Sequence, residues 1–412
     1  MTTAGARRYV LYSHDTMGLG HMRRNLHLAA LLTTLPHPGI CLLITGAREG
    51  GLFRVPAGVD CLSLPALHKE PNGTYRSRSL GVSFKDLVSV RARTISAAID
   101  SFAPDVLVVD NVPRGAGGEL DCTLKRLSRE GRTRCVLGLR DVLDDPATIQ
   151  LEWQKRANLD AIREYFSAVW VYGDPRVFNP ALEYGFPPDV ADKVRYTGYL
   201  DRRSRTGAPE VDTMFSPVST LRLSARRMML CLVGGGQDGE RVATAFAGAT
   251  LPDDAEGLVV TGPFMPRDAV RRLQNLAASN PRLRVIEFTA EPTGLLEHAD
   301  RIVSMGGSNT VSEILSYQKA ALIVPRISPR REQLIRAERL SALGLVNMLH
   351  PDDLCPDALT RWLHTEFGEW PRVQDRVSFN GHVCLPHLVN ELFESPELPV
   401  PSPPRRDHLA VR

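Results

Sequence analysis

The chain has 412 residues, 43% hydrophobic and 24% charged, with Lys+Arg 50 against Asp+Glu 47 and a formal net charge of +3. That length exceeds what one hydrophobic core normally supports, so two domains are expected. The near-balanced charge lacks the basic footprint of a general nucleic-acid binder. No run reaches the roughly 18 to 20 apolar residues of a membrane span, and Met1 to Val10 lacks the apolar stretch of a secretory signal. Seven cysteines are scattered without a C-x-x-C pair. They predict reduced thiols in a cytoplasmic protein, with Cys41, Cys61, Cys135 and Cys231 acting as small apolar residues inside strand-like runs.

In chain order, short aliphatic runs alternate with longer helical patterns, the rhythm of an α/β protein with parallel sheets. Strands are predicted at Tyr9–Tyr12, Ile40–Ile44, Val106–Val109, Cys135–Leu139, Ala168–Tyr172 and Val194–Thr197. Their near-continuous apolar character suits burial on both faces. Helices are expected at His21–Leu32, Phe84–Phe102 and Ala147–Phe166. Around residues 204–224 the periodicity lapses, with Gly207, Pro209 and Pro217, which marks a linker. The alternation restarts with strands Met228–Val233, Gly257–Thr261, Leu283–Phe288, Arg301–Ser304 and Ala321–Val324. Two successive series imply two Rossmann-like domains facing a cleft, at 1–203 and 225–370. A helical segment at 371–394 is expected to return to the first domain, ahead of a proline- and charge-rich disordered tail at 395–412.

Loops at strand ends carry the chemistry. After the first strand, Gly18 and Gly20 precede a helix, the setting in which backbone approaches a ligand. Arg23 stands where a dinucleotide fingerprint needs its third glycine, and the second strand ends in Thr45-Gly46 without an acid, which speaks against NAD or FAD. His21 opens the helix, where the macrodipole favours neutral imidazole. It is either a general base or a residue that bonds the loop. His14 and Asp15 share that loop as weaker candidates for substrate contact.

In the second half, Gly234-Gly235-Gly236 follows a strand and forms either a phosphate cradle or a packing turn. Ser304 to Ile314 then reads as a strand end, a turn at Gly306-Gly307, and a helix start bearing Ser308, Asn309 and Thr310. Its free N–H groups suit a diphosphate. Glu313, three residues after Thr310, either closes a capping box or accepts both hydroxyls of a ribose. Beyond Pro325, Glu332 and Gln333 are candidates for binding sugar hydroxyls, and the neighbouring arginines are alternatively a solvated helix start.

These segments together resemble the two-Rossmann glycosyltransferase fold (GT-B), and within it glycosyltransferase family 28, the peptidoglycan-precursor N-acetylglucosaminyltransferases. The motifs are Gly18-Leu19-Gly20-His21, Gly234-Gly235-Gly236-Gln237, Ser304 to Glu313, and Pro325 leading to Gln333-Leu334-Ile335-Arg336-Ala337, in order over about 320 residues. The resemblance implies a hexosyltransferase using a nucleotide-diphosphate sugar, with UDP-sugar the first expectation, transferring to an acceptor hydroxyl with inversion. The nucleotide sugar is a substrate, so no cofactor is expected; no metal is either, and no D-x-D site is evident.

By the same resemblance His21 is the catalytic base. Gly235, Gly236, Gly306, Gly307, Ser308 and Thr310 lie against the phosphates, Phe288 and Thr289 flank the base of the nucleotide, Glu313 holds the ribose, and Glu332 and Gln333 read the sugar. Gly18, Gly20, Asn111, Arg114, Arg140 and Asp141 fall on the acceptor side, the last two being alternatively an internal ion pair. Departures are Gly236 for the family serine, Arg336 for the family asparagine, and one glycine before His21 where two are frequent. The first half does not match the peptidoglycan enzymes, which suggests a less studied bacterial group with another acceptor: a small molecule, a glycan or a lipid-linked compound. Arg76, Arg78, Arg91 and Arg93 would give a face for peripheral contact with the inner side of the plasma membrane. The rival readings are a nucleotide-sugar 2-epimerase and a non-catalytic nucleotide-sugar-binding partner protein.

Overall fold

The computed structural model describes residues 5–15, 18–34, 39–47, 53–70, 74–201, 203, 227–287, 293–368 and 370–394. The predicted linker and tail lie outside them, as do Phe288 and Thr289.

In the first half the strands are β1 Arg8–Ser13, β2 Ile40–Thr45, β3 Val59–Ser63, β4 Leu67–Lys69, β5 Tyr75–Ser77, β6 Val106–Asp110, β7 Arg134–Arg140, β8 Ala168–Tyr172 and β9 Val194–Tyr196. Seven form a parallel sheet in the order β3-β2-β1-β6-β7-β8-β9, while β4 and β5 make a separate antiparallel pair. In the second half β10 Arg227–Leu232, β11 Ala255–Val260, β12 Leu283–Ile286, β13 Arg301–Ser304, β14 Ala320–Ile323 and β15 Asn347–Met348 form another parallel sheet, ordered β12-β11-β10-β13-β14-β15. β6 and β8 are buried at every position, and Cys41, Cys135 and Cys231 are core residues, because helices cover both faces of each sheet.

Strand order reverses between β1 and β6 in one sheet and between β10 and β13 in the other. At such a reversal the connections leave in opposite directions and open a crevice beyond the strands' C-terminal ends. Ser13 pairs in register with Asp110, and Leu232 with Ser304, so both glycine loops emerge at these two crevices.

One edge strand and one helix differ from the sequence reading. The edge strand β3 is absent from it because Val59-Asp60-Cys61-Leu62-Ser63 is only half-buried and carries polar residues. The expected helix Ala147–Phe166 is two, Pro146–Lys155 and Asn158–Tyr165, broken where Ala157 turns left-handed with φ of 49°. The helix Gly381–Glu394 packs Leu385, Val389 and Leu392 into the core formed by Tyr9, Leu11 and Leu28 of the first half. An Arg195–Glu391 ion pair at 2.6 Å fixes its outer face.

Candidate active site

A cavity of about 290 Å³ lies between the halves. From the first half it is lined by Gly18, Leu19, Gly20, Arg23 and Arg140. From the second come Gly234 to Asp238, Gly307 to Thr310, Glu313, Arg326, Glu332, Gln333 and Arg336. Two helices begin at it, Gly20–Thr33 and Ser308–Ser316. Neither has a side-chain cap or an acidic residue in its first turn, so both present backbone N–H donors and the positive ends of their dipoles. The two starts touch, Asn309 Nδ2 donating to the Gly20 carbonyl at 2.7 Å. Two uncapped helix starts on one polar cavity have the donors and the potential to take an anion.

The glycines are where backbone must come close. Gly236 has φ of 92°, and a Cβ there would meet the Thr261 carbonyl oxygen at 2.2 Å. With this backbone a serine, which the resembled family has here, would not fit. Gly307 has open space where a Cβ would stand, on the cavity side. The capping box is not formed: the helix N-cap is Gly307, which places Glu313 beyond the first turn. Its carboxylate, 1% exposed, instead accepts from Arg23 Nη2 of the first half at 2.6 Å.

On the first-half side His21 Nδ1 is 3.1 Å from Asp110 Oδ2, and the Asp110 oxygens also accept from Arg24 Nη2 at 2.6 Å. Asp110 is fully buried. Burial alone would raise its pKa, but the Arg24 charge and His21 outweigh this and hold the carboxyl well below the usual range. The site therefore keeps a permanent carboxylate behind the imidazole. The sequence reading sees Asp110 at a strand end on the cleft side and Arg24 beside the first glycine loop, but gives neither a role. The available signal is an acid at the end of an otherwise apolar strand, in register with the residue that starts the glycine loop.

Arg336 and Asp141, each 1% exposed, form an ion pair across the halves at 2.6 Å. Arg336 also donates to the Gly306 carbonyl at 3.1 Å and the Val142 carbonyl at 3.2 Å. It thus binds the Gly306-Gly307 turn to the first domain. The internal Arg140–Asp141 pair, one of the two readings for those residues, is not formed because Asp141 is taken by Arg336. Glu332 accepts from Arg326 Nη2 at 2.6 Å, and Gln333 Oε1 accepts from the Arg326 backbone N–H at 3.0 Å.

Other expectations need correction. Arg114 does not line the cavity; its guanidinium is held by Asp121, with Nε donating at 2.7 Å. His21, Asn111, Asp141 and Gly306 are likewise not lining residues. Arg91 cannot contribute to a lipid-facing surface: it is fully buried, paired with Glu119, and donates to the His14 carbonyl at 3.3 Å, where it supports the first loop. Asp15 accepts from Ser13 and Thr45 hydroxyls at 2.6 Å each and shapes that loop, and the His14 ring lies 5.7 Å from that of His21.

With this geometry in view, the chain has the GT-B fold, the two-Rossmann architecture of nucleotide-sugar glycosyltransferases. Over 94% of its length it superposes on 98% of the calicheamicin glycosyltransferase CalG4 with a TM-score of 0.59 and 16% identity. A putative UDP-N-acetylglucosamine 2-epimerase from Listeria monocytogenes gives a TM-score of 0.62 with 12% identity, covering 94% of this chain and 97% of that one. Residues 230–371 match the glycosyltransferase family 28 C-terminal domain.

Among curated relatives, the Haemophilus influenzae (strain PittGG) UDP-N-acetylglucosamine--N-acetylmuramyl-(pentapeptide) pyrophosphoryl-undecaprenol N-acetylglucosamine transferase is 29% identical over 163 residues, 38% of this chain and 45% of that protein. The Brucella anthropi protein of the same name is 27% identical over 225 residues, 53% of this chain and 58% of that protein. The chain thus spans about half the length of the curated relatives it matches.

Proposed function

We propose that the protein transfers a hexosyl or N-acetylhexosaminyl group from a nucleoside diphosphate sugar, UDP-sugar first among them, to an acceptor hydroxyl with inversion. The observation that carries this reading is the two uncapped helix starts, Gly20–Thr33 and Ser308–Ser316, on one cavity, with the His21–Asp110 pair on the first of these helices just behind the lining residues Gly20 and Arg23.

Asp110 holds the imidazole as its Nδ1–H tautomer, which leaves Nε2 free to take the acceptor hydroxyl's proton as its oxygen attacks the anomeric carbon. Arg24 Nη2, which can only donate, also lies 2.9 Å from Nδ1 and competes for that nitrogen, so this tautomer requires the Asp110 carboxylate to outweigh it. The bond from the anomeric carbon to the diphosphate breaks as the new one forms. The leaving diphosphate rests on the amides of residues 307–310 and the turn at 234–236. Glu313 takes the ribose hydroxyls once Arg23 yields, Glu332 and Gln333 meet the sugar, and Phe288 and Thr289 are assigned to the base.

For the acceptor, the relatives' names point to lipid-linked chemistry, and contact with a membrane face would fall to Arg76, Arg78 and Arg93. The test is incubation of the purified protein with UDP-, dTDP- and GDP-sugars, alone and with candidate acceptors. Donor hydrolysis or transfer, abolished in His21→Ala with nucleotide binding retained, supports the reading. Isomerised donor would assign an epimerase, and tight binding without turnover a binding protein.

A further inference from the structure

Arg140 closes β7, beside Tyr172 of β8 in register. Its Nη2 donates to the Leu143 carbonyl at 2.9 Å; its Nε is buried with no partner, and it makes no ion pair with any described residue. The neighbouring guanidiniums differ: Arg24 has Asp110, Arg336 has Asp141, Arg326 has Glu332 and Asp238, and Arg330 has Glu152 and Asp144. Arg140 borders the main cavity and also a smaller one of about 20 Å³ shared with Arg24, Tyr172 and Tyr199. Glu332, on the main cavity, has the complementary deficit, because its Oε2 is buried and accepts nothing.

A buried donor and a buried acceptor left open at one cavity each cost free energy, which a ligand of matching chemistry recovers. Burial disfavours the charge on Arg140, and the fields of Arg336, Arg24 and Arg330 add to this against the favourable field of Glu332, so its pKa is lowered. An incoming anion relieves that. Glu332 is held ionised, since the Arg140, Arg326 and Arg336 charges outweigh its burial, and so it needs a hydroxyl donor.

The geometry points to a subsite for a sugar bearing a carboxylate, a hexuronic acid: Arg140 takes the carboxylate and Glu332 takes a ring hydroxyl. This rests on the nucleotide-sugar reading above, and the uronate belongs either to the donor or to the acceptor.

Titration calorimetry of the whole chain distinguishes these. One arm compares the hexuronic acid and the hexose attached to whichever of UDP, dTDP or GDP binds; the other measures free hexuronic acid against free hexose. The expected result is a preference for uronate of at least tenfold in one arm, lost in Arg140→Met and partly kept in Arg140→Lys. Nucleoside diphosphate alone should bind all three proteins equally. Arg140→Met should still fold, since Arg140 makes no ion pair with any described residue, and Arg140→Lys is the control that keeps the charge which helps hold Glu332 ionised.

No uronate preference in either arm overturns the proposal. So does an equal loss of affinity for the bare nucleotide in Arg140→Met, which would give Arg140 to the diphosphate. If wild type binds no nucleoside diphosphate, the donor reading fails, while the free-sugar arm still reports on Arg140.

Discussion

Replacing Asp110 by asparagine keeps the side chain's shape and removes its charge. In the proposed reaction His21 becomes an imidazolium, and its Nδ1 faces Asp110 Oδ2 at 3.1 Å. At an effective dielectric of about 20, two unit charges at that 3.1 Å separation attract by about 5 kcal/mol. Arg24, 2.9 Å from the same nitrogen, opposes part of this, so the figure is an upper bound. Loss of charge behind a catalytic histidine costs on the order of 10⁴ in turnover where it has been measured, and about 10²-fold is the lower end for a displaced base. We expect Asp110→Asn to lose about 10²- to 10⁴-fold in kcat, with nucleotide affinity unchanged. A second effect accompanies it: Arg24, buried in the fold, is left without its carboxylate, at a cost of about 3 to 5 kcal/mol. The double variant Arg24→Met with Asp110→Asn removes that stranded charge. It should regain stability in urea melts without regaining turnover. Turnover of Asp110→Asn within about threefold of wild type would refute the dyad and the base role of His21 with it.

Glu313→Gln should weaken nucleotide binding by roughly 1 to 3 kcal/mol in calorimetry, whereas Arg23→Ala should tighten it by freeing Glu313; a weakened Arg23→Ala would show that the ion pair orients the carboxylate for ribose instead of guarding it. Arg336→Met should destabilise the chain by about 3 to 5 kcal/mol in urea, and the double variant with Asp141→Leu should recover most of that loss; additive losses would mean the buried pair carries no coupling. Asp141 is held below the usual carboxylate range because the Arg336 charge outweighs burial, so its contribution is complete above the unfolded value of about 4 and disappears as pH falls through the folded value. Wild type should therefore lose urea stability as pH drops below about 4, and Asp141→Asn should lose less over the same interval. Gly236→Ser should abolish nucleotide binding or fold poorly, since a Cβ there meets the Thr261 carbonyl at 2.2 Å; retention of wild-type affinity would argue against that turn as a phosphate cradle.

The central strands of both sheets are readable in the sequence because burial on both faces forces uninterrupted apolar runs, as in Val106–Val109 and Ala168–Tyr172. The glycine turns are readable because only glycine tolerates backbone like that of Gly236 and Gly306. What escapes is pairing at a distance. Asp110 meets Arg24 across 86 residues, and Arg336 meets Asp141 across 195, so neither residue carries a local mark of its partner. Arg91 looks like a surface cation by composition, yet Glu119 and the carbonyls of His14 and Pro65 take it into the interior. The edge strand β3 escapes for the opposite reason, being half-exposed and therefore not patterned by a core.

The final helix, Gly381–Glu394, completes the apolar interior of the half opposite the one it follows in the chain. The polypeptide therefore passes between the two halves twice, once on the way out and once on the return. The returning helix and the buried Arg336–Asp141 pair thus join the two halves at separate places. Cutting the chain ahead of that helix would strip the first half of part of its own interior.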